Sequence, residues 1–226
     1  MIIGILSDAH GNIYGLERAL NLLKISKAEK IFFLGDALNY FGKSKEVLLL
    51  LNKMSIECIK GNHEVMLLEN INIEPEEKKI YNLEFTQKIL MKEDYQYIDS
   101  WKDFIEITVD NLNILMVHAS PFNYFWEYIY PNSSCKGIEN LPYDIIFIGH
   151  THIPFIKQIN GKLLINIGSV GLPRDDGRYI SCSVFDTIQK KASILTDDFP
   201  SEHLLDLNPF SPEILTILNR RKKISD

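Results

Sequence analysis

Cysteine is scarce in this chain, and basic charge is in the minority. Only Cys58, Cys135 and Cys182 occur in 226 residues. Their odd number and the lack of any CxxC pair exclude a disulfide framework and a four-cysteine zinc site, and suit a reducing compartment. Lys plus Arg number 24 against 30 Asp plus Glu, a net charge of −6. That balance offers no generic attraction for long nucleic acid or an anionic membrane, where a basic face is expected. No stretch reaches the ~18 apolar residues of a membrane span. The apolar run after Met1 is too short for a signal peptide and has no basic segment before it. The expectation is a cytoplasmic protein with no membrane partner. Internal repeats and low-complexity segments are also missing. With 46% hydrophobic and 24% charged residues the composition is that of an ordinary globular chain. A chain of this size buries a large core without disulfides or a structural metal. One domain over 1–226 is expected.

Strand and helix signals alternate in the first third. Residues 2–6, 30–34 and 56–60 are short apolar runs that read as buried strands. Between them, residues 13–25 set Leu16, Ala19, Leu20 and Leu23 on one helical face, and 44–54 form a Leu-rich helix. Strands separated by helices imply βαβ units and a parallel sheet. Residues 62–104 mix charged and apolar residues at helical spacing, which predicts an insertion of two or three helices. Its aromatics Tyr81, Phe85, Tyr95, Tyr97 and Trp101 read as packing residues. Strands return at 105–109, 113–117, 144–148, 178–185 and 191–196. Asp110-Asn111 marks one hairpin, and Asn160-Gly161, within 154–166, marks another of type I′. A C-terminal helix is predicted over about 211–222, with Ser211 as N-cap, Pro212 at its first position and basic residues at the negative end of its dipole.

The residues at the carboxyl ends of the buried strands carry the chemistry. The first strand ends in Asp8-Ala-His10, the second in Gly35-Asp36 and the third in Gly61-Asn62-His63-Glu64. Later strands end in Val117-His118 and in Gly149-His150-Thr-His152. In α/β sheets the carboxyl ends of the strands form the ligand crevice. Five of the six histidines fall at these ends, leaving only His203 outside every motif. A lone histidine is most often a hydrogen-bonded core residue; five in one pattern point to metal. Asp and His without Cys suit Mn, Fe, Co, Ni or Zn rather than Ca. The donors exceed what one tetrahedral ion needs, so two ions sharing one carboxylate are the natural count. Asp8/His10 and His150/His152 are each spaced by two, which aims both side chains one way if the backbone is extended. In a splayed loop, His150 and His152 instead reach two adjacent ions. With only Asp8 and Asp36 anionic, such a site stays net positive and favours an anionic substrate, above all a phosphate ester.

The run Asp8-Ala-His-Gly-Asn12, Gly35-Asp36, Gly61-Asn-His-Glu64, His118 and Gly149-His-Thr-His152 resembles the calcineurin-like metallophosphoesterase superfamily, with all five blocks in family order. Finer features resemble its small bacterial and archaeal phosphodiesterase branch, the diadenosine-tetraphosphatase-like proteins. These are Tyr40 and Gly42, Val117-His-Ala-Ser-Pro121, Trp126-Glu-Tyr128, and Gly168-Ser-Val-Gly171 followed by Pro173-Arg174-Asp175. The resemblance implies a four-layer α/β/β/α sandwich of two mixed sheets flanked by helices. It also implies that Asp8, His10 and His152 hold one metal, Asn62, His118 and His150 a second, and that Asp36 bridges both. Manganese is the first expectation for the two divalent ions, with Fe, Ni, Co or Zn as alternatives. His63 is implied as the catalytic residue beside them.

The function so implied is a phosphodiesterase acting on a nucleotide-type or other small diester, in which hydroxide generated at the metals attacks phosphorus. A phosphomonoesterase or phosphoprotein phosphatase is the alternative within enzymes. A non-catalytic scaffold is the alternative outside them, since the similar retromer subunit lacks the histidine that His63 supplies here. Asn12 reads either as a phosphate contact or as the cap of the helix from residue 13. Arg174 reads either as a bidentate phosphate ligand or as a salt-bridge partner. Tyr40, Tyr124 and Trp126 read as loop packing, with stacking on a nucleobase as the alternative. Two departures from the branch pattern stand out. Asn166-Ile-Gly-Ser replaces Asn-Pro-Gly-Ser, and Ser100-Trp-Lys-Asp stands where a Leu-Pro pair is common.

Overall fold

The computed structural model describes residues 1–222. Its elements in chain order are β1 (Ile2–Leu6), α1 (Ile13–Ile25), β2 (Lys30–Phe33), α2 (Ser44–Lys53) and β3 (Glu57–Cys58). Four short helices come next: α3 (Asn62–Leu68), α4 (Pro75–Ile80), α5 (Leu83–Ile89) and α6 (Lys92–Asp99). Then come β4 (Phe104–Val109), β5 (Leu112–Val117), β6 (Ile145–Ile148), β7 (Phe155–Ile159), β8 (Lys162–Asn166), β9 (Tyr179–Asp186), β10 (Lys191–Asp198) and α7 (Glu213–Leu218). Single 3-10 turns lie at Ile138–Asn140 and Ser201–His203.

The strands form two five-stranded sheets, in the orders β10-β9-β1-β2-β3 and β4-β5-β6-β8-β7. Both are mixed. β1, β2 and β3 are parallel to one another, as are β5, β6 and β8. The hairpin partners β4, β7, β9 and β10 pair antiparallel.

The Ile-rich runs are continuous because these strands are covered on both faces. Ile3, Ile5, Phe32 and Leu34 of the first sheet meet Ile114, Met116, Ile145, Phe147 and Ile165 of the second in the central layer. The intervening residues face outward. Leu6 and Phe33 join α1, α2 and the 62–104 helices in one outer core. Leu115, Val117, Ile146, Ile148 and Leu164 form the other with Ile129 and Ile138. The cover on this last side is thin, being the 118–143 segment with its one 3-10 turn.

Three local expectations are corrected. The insertion carries four helices rather than two or three, and the first starts inside the Gly61-Asn62-His63-Glu64 block. The C-terminal helix spans 213–218 rather than 211–222, and Pro212, not Ser211, occupies the N-cap position. Past its end, Gly177 N–H donates to Arg220 O (3.0 Å) in a tertiary bond, and Arg221 Nη1 donates locally to Leu218 O (2.9 Å). Both hairpin dipeptides adopt the type I′ geometry, with positive φ at Asp110 and Asn111 and at Asn160 and Gly161. No helix among the described residues is long and apolar enough to cross a membrane.

Candidate metal centre

Parallel pairing brings the carboxyl ends of β1, β2, β3, β5 and β6 together. Asp8 N–H donates to Gly35 O (2.9 Å), and Gly149 N–H to His118 O (2.7 Å). Across the sheets, His150 N–H donates to Asp8 Oδ2 (3.1 Å), and the His118 ring reaches Leu34 O. The motif residues from both sheets therefore face one another in a single buried cluster.

The backbone turns sharply at these ends. Asp8, His10, Asp36, His150 and His152 all have φ between 48° and 64°. Left-handed backbone at non-glycine residues is uncommon and costs free energy, which a functional site commonly bears. It also corrects the extended geometry considered for the paired positions. Asp8, His10, Asp36 and His152 offer donor atoms to one group; Asp36, His118 and His150 offer them to another. His150 and His152 thus splay to different groups, and Asp36 belongs to both. Asn62 adds its carbonyl to the second, with Oδ1 3.0 Å from His118 Nε2.

Tautomers fix what these donors can bind. The Nδ1 atoms of His10, His118 and His152 lie 3.0, 2.7 and 2.6 Å from the carbonyl oxygens of Leu38, Leu34 and Leu172. A carbonyl only accepts, so each Nδ1 carries a proton and each Nε2 turns a lone pair inward. His10 Nε2 and His152 Nε2 face each other at 3.1 Å. Burial holds both imidazoles well below their ordinary pKa, so both are neutral. Two lone pairs at that distance repel unless a cation joins them. Asp8 Oδ1 and His150 Nε2 are buried without any hydrogen-bond partner. This convergent set of acceptors lacking donors fits divalent metal ions. In a metal-free centre a proton takes part of that role. Burial lowers His118, but the facing Asp36 carboxylate outweighs it and lifts His118 to about 9. Asp36, though buried, is held well below the usual carboxylate range by His118 and His63. Burial raises Asp8.

His63 stands beside the cluster on α3, with Nε2 4.0 Å from Asp36 Oδ2. Burial lowers it to about 4. Asn39 Nδ2 lies 2.8 Å from His63 Nδ1. An amide N–H there donates to Nδ1 and leaves the ring proton on Nε2, facing the cluster. Glu64 is fully buried and accepts three backbone N–H bonds, from Asp36 (2.7 Å), Ala37 (2.9 Å) and Gly61 (2.8 Å). One carboxylate thereby ties the Asp36 loop to the start of α3. Burial and the Asp36 charge push it up to about 7.

Sequence reasoning assigns no role to Glu64 or Asn39. For Glu64 a signal exists, since Glu three residues after a helix N-cap reaches back to the cap N–H. For Asn39 there is none. Asn12 serves as the cap: Oδ1 accepts from Gly15 N–H and Nδ2 donates to Gly171 O, both at 2.9 Å. Of the two readings of Asn12, the hydrogen bonds show the cap. Arg174 donates to the Tyr40 hydroxyl (2.9 Å) and, among the described residues, to no carboxylate. Tyr40 is buried against His10 (4.6 Å between ring centroids), and Tyr124 packs on Phe104 (5.1 Å). Trp126 is exposed. The aromatic that flanks the centre is Tyr128, stacked on His150 at 4.0 Å. Tyr81, expected to be plain packing, reaches the His63 ring at 4.8 Å.

Residues 1–190 match the family model described as the calcineurin-like phosphoesterase superfamily domain. An uncharacterized protein of Methanocaldococcus jannaschii is 30% identical, over 88% of both chains. A hypothetical protein from Pyrococcus horikoshii has a similar solved structure, with TM-score 0.85, 18% identity, and 96% of this chain and 97% of that one covered. A metallophosphoesterase from Sphaerobacter thermophilus has TM-score 0.78 at 24% identity, covering 96% of this chain and 98% of its own.

Proposed function

The chain belongs to the calcineurin-like phosphoesterase superfamily, a metal-dependent family, and from that premise we propose that it is a dinuclear hydrolase of phosphate esters, a phosphodiesterase on a nucleotide-type or other small diester. The observation that carries the reading is Asp36, whose carboxylate belongs to both donor groups while its other oxygen accepts the His63 backbone N–H at 2.9 Å. Asp8, His10, Asp36 and His152 would hold one ion. Asp36, Asn62, His118 and His150 would hold the other. Manganese suits these N and O donors, as do iron, nickel, cobalt and zinc. Two such ions, when bound, neutralise phosphate charge and make hydroxide available near neutral pH.

The chain's own groups do the rest. His63, neutral and protonated at Nε2, donates a hydrogen bond to a phosphoryl or leaving-group oxygen. Asn39 holds that tautomer. Glu64 keeps the Asp36 loop and the α3 start in register. Two carboxylates against two divalent ions leave the crevice positive, which draws in an anionic ester. Tyr128 and Tyr130, both partly exposed and stacked on each other beside His150, supply a flat apolar face for a base.

The test is hydrolysis of bis(p-nitrophenyl) phosphate and p-nitrophenyl phosphate by metal-stripped protein titrated with Mn, Ni, Co, Zn and Mg. Metal-dependent turnover with preference for the diester is expected. Faster turnover of the monoester would make the protein a phosphatase. Failure both to bind metal and to turn over either ester would leave the scaffold alternative.

A further inference from the structure

Arg174 is a cation at the rim of the candidate metal centre, and no anion among the described residues is bonded to it. Its backbone N–H is anchored on His152 O (3.2 Å). Its side chain is half-buried; Nη2 donates to the Tyr40 hydroxyl at 2.9 Å, and Nε is buried without a partner. Among the described residues no carboxylate comes within 4.0 Å of it, whereas Arg18 and Arg178 each hold one. Withdrawing a guanidinium from water without a counter-charge is unfavourable unless a ligand supplies the charge. The fork of N–H donors matches the oxygens of a phosphoryl group.

Its position relative to the centre decides which group that is. Arg174 forms no ion pair with Asp8 or Asp36, although imidazoles contact those carboxylates at 3.1–4.0 Å. Tyr40 lies between. Its ring packs on His10 at 4.6 Å and on His63 at 5.2 Å, while its hydroxyl carries the guanidinium. Arg174 is therefore set one aromatic ring back from the side chains that face the scissile phosphate. The Tyr40 hydroxyl only accepts in the described hydrogen bonds, so its own proton remains available to the same ligand.

We propose that Arg174 and the Tyr40 hydroxyl form a subsite for a second, non-scissile phosphoryl group, so that the preferred ester carries another phosphate one P–O–P link from the phosphorus attacked. The subsite rests on the phosphoesterase reading for the placement of the first phosphate.

Calorimetry on the manganese-loaded full chain, at fixed free metal, tests this with AMP and α,β-methylene-ADP. The two share base and sugar, and the second cannot be cleaved at its bridge. Wild type should bind α,β-methylene-ADP at least about tenfold more tightly than AMP, the scale of a charge-assisted bidentate contact. Arg174→Gln should reduce that ratio to within about twofold of unity, and Arg174→Lys should retain an intermediate ratio. Tyr40→Phe, which removes only the hydroxyl, should lower it by about threefold. A wild-type ratio near one would overturn the proposal. So would an Arg174→Gln protein that weakens both ligands equally, since Arg174 would then serve the scissile phosphate. If wild type hydrolyses no ester yet shows the preference and loses it in Arg174→Gln, the subsite stands and the phosphoesterase reading falls.

Discussion

Asp36 accepts the His63 backbone N–H through Oδ1 and turns Oδ2 toward His118 at 3.3 Å and His10 at 3.6 Å. Asp36→Asn keeps the shape but removes the charge that both donor groups share. It should lower turnover by at least about 100-fold and release both ions, read by metal content after dialysis. Wild-type turnover in that variant would refute the bridging role. His63→Ala should behave differently, because the proposed function makes His63 a hydrogen-bond donor rather than a ligand. Both ions should remain, and the rate on a poor leaving group should fall by about 100-fold, with a smaller fall on a nitrophenolate. Loss of metal in His63→Ala would show that the division between ligand and donor is wrong. At this scale the residues that cluster, Asp8, His10, Asp36, Asn62, His118, His150 and His152 with His63 beside them, were legible, because each follows closely on an apolar run. Asn39 was not, because its relation to His63 exists only after β2 and α3 are brought side by side.

Strands were legible where both faces are buried. Ile2–Leu6 and Ile145–Ile148 lie within the apolar runs predicted for them, and their alternate residues divide between two cores. The helices of the insertion were less legible. α4, α5 and α6 are six to eight residues long, too short for a clear periodic stripe. Two glycines separate local strain from tertiary collision. Gly161, with φ +86°, has nothing within 4 Å of where a Cβ would stand. Gly161→Ala should cost only the left-handed strain, about 1 kcal/mol. Gly35, with φ +90°, faces the backbone of Lys60 and Gly61 where the loops after β2 and β3 meet. Gly35→Ala should cost about 3 kcal/mol or more, since neither backbone can give way. Denaturant unfolding measures both, and equal losses would mean that the loop contact is soft.

For the whole molecule, the buried centre sets the pH dependence of stability. Burial lowers His10, His63, His150 and His152, with His63 near 4 and His150 near 3 against an ordinary 6.5. Between those values and 6.5 the unfolded chain binds more protons, so stability rises with pH. Glu64, raised to about 7, and Asp8, also raised by burial, oppose this from about 4 upward, but as two groups against four. Above 6.5 the sign reverses: His118, lifted to about 9, contributes stability that is complete below 6.5 and lost as pH rises through 9. Metal-stripped protein should therefore melt highest near pH 6.5. A melting temperature that climbed steadily from pH 5 to 9 would contradict the neutral-histidine arrangement. Bound divalent ions should shift the optimum upward, because they compete with the proton on His118.

The chemistry class comes from residue types and their places at strand ends, which are properties of the chain read in order. A buried strand must be apolar, so a polar residue at its carboxyl end stands out without any structure. The strand-end crevice was expected on the same grounds, whereas the pair of sheets was expected only from the family resemblance. How the donors divide was implied by the family resemblance, and only the tertiary structure shows the geometry behind it. Asp36 joins both groups and His150 and His152 part company because left-handed turns and contacts between distant segments set those directions. Glu64 and Asn39 acquired roles, and Arg174 was left without a carboxylate, for the same reason. Each depends on what another part of the chain places within a few ångströms, and no local pattern records that.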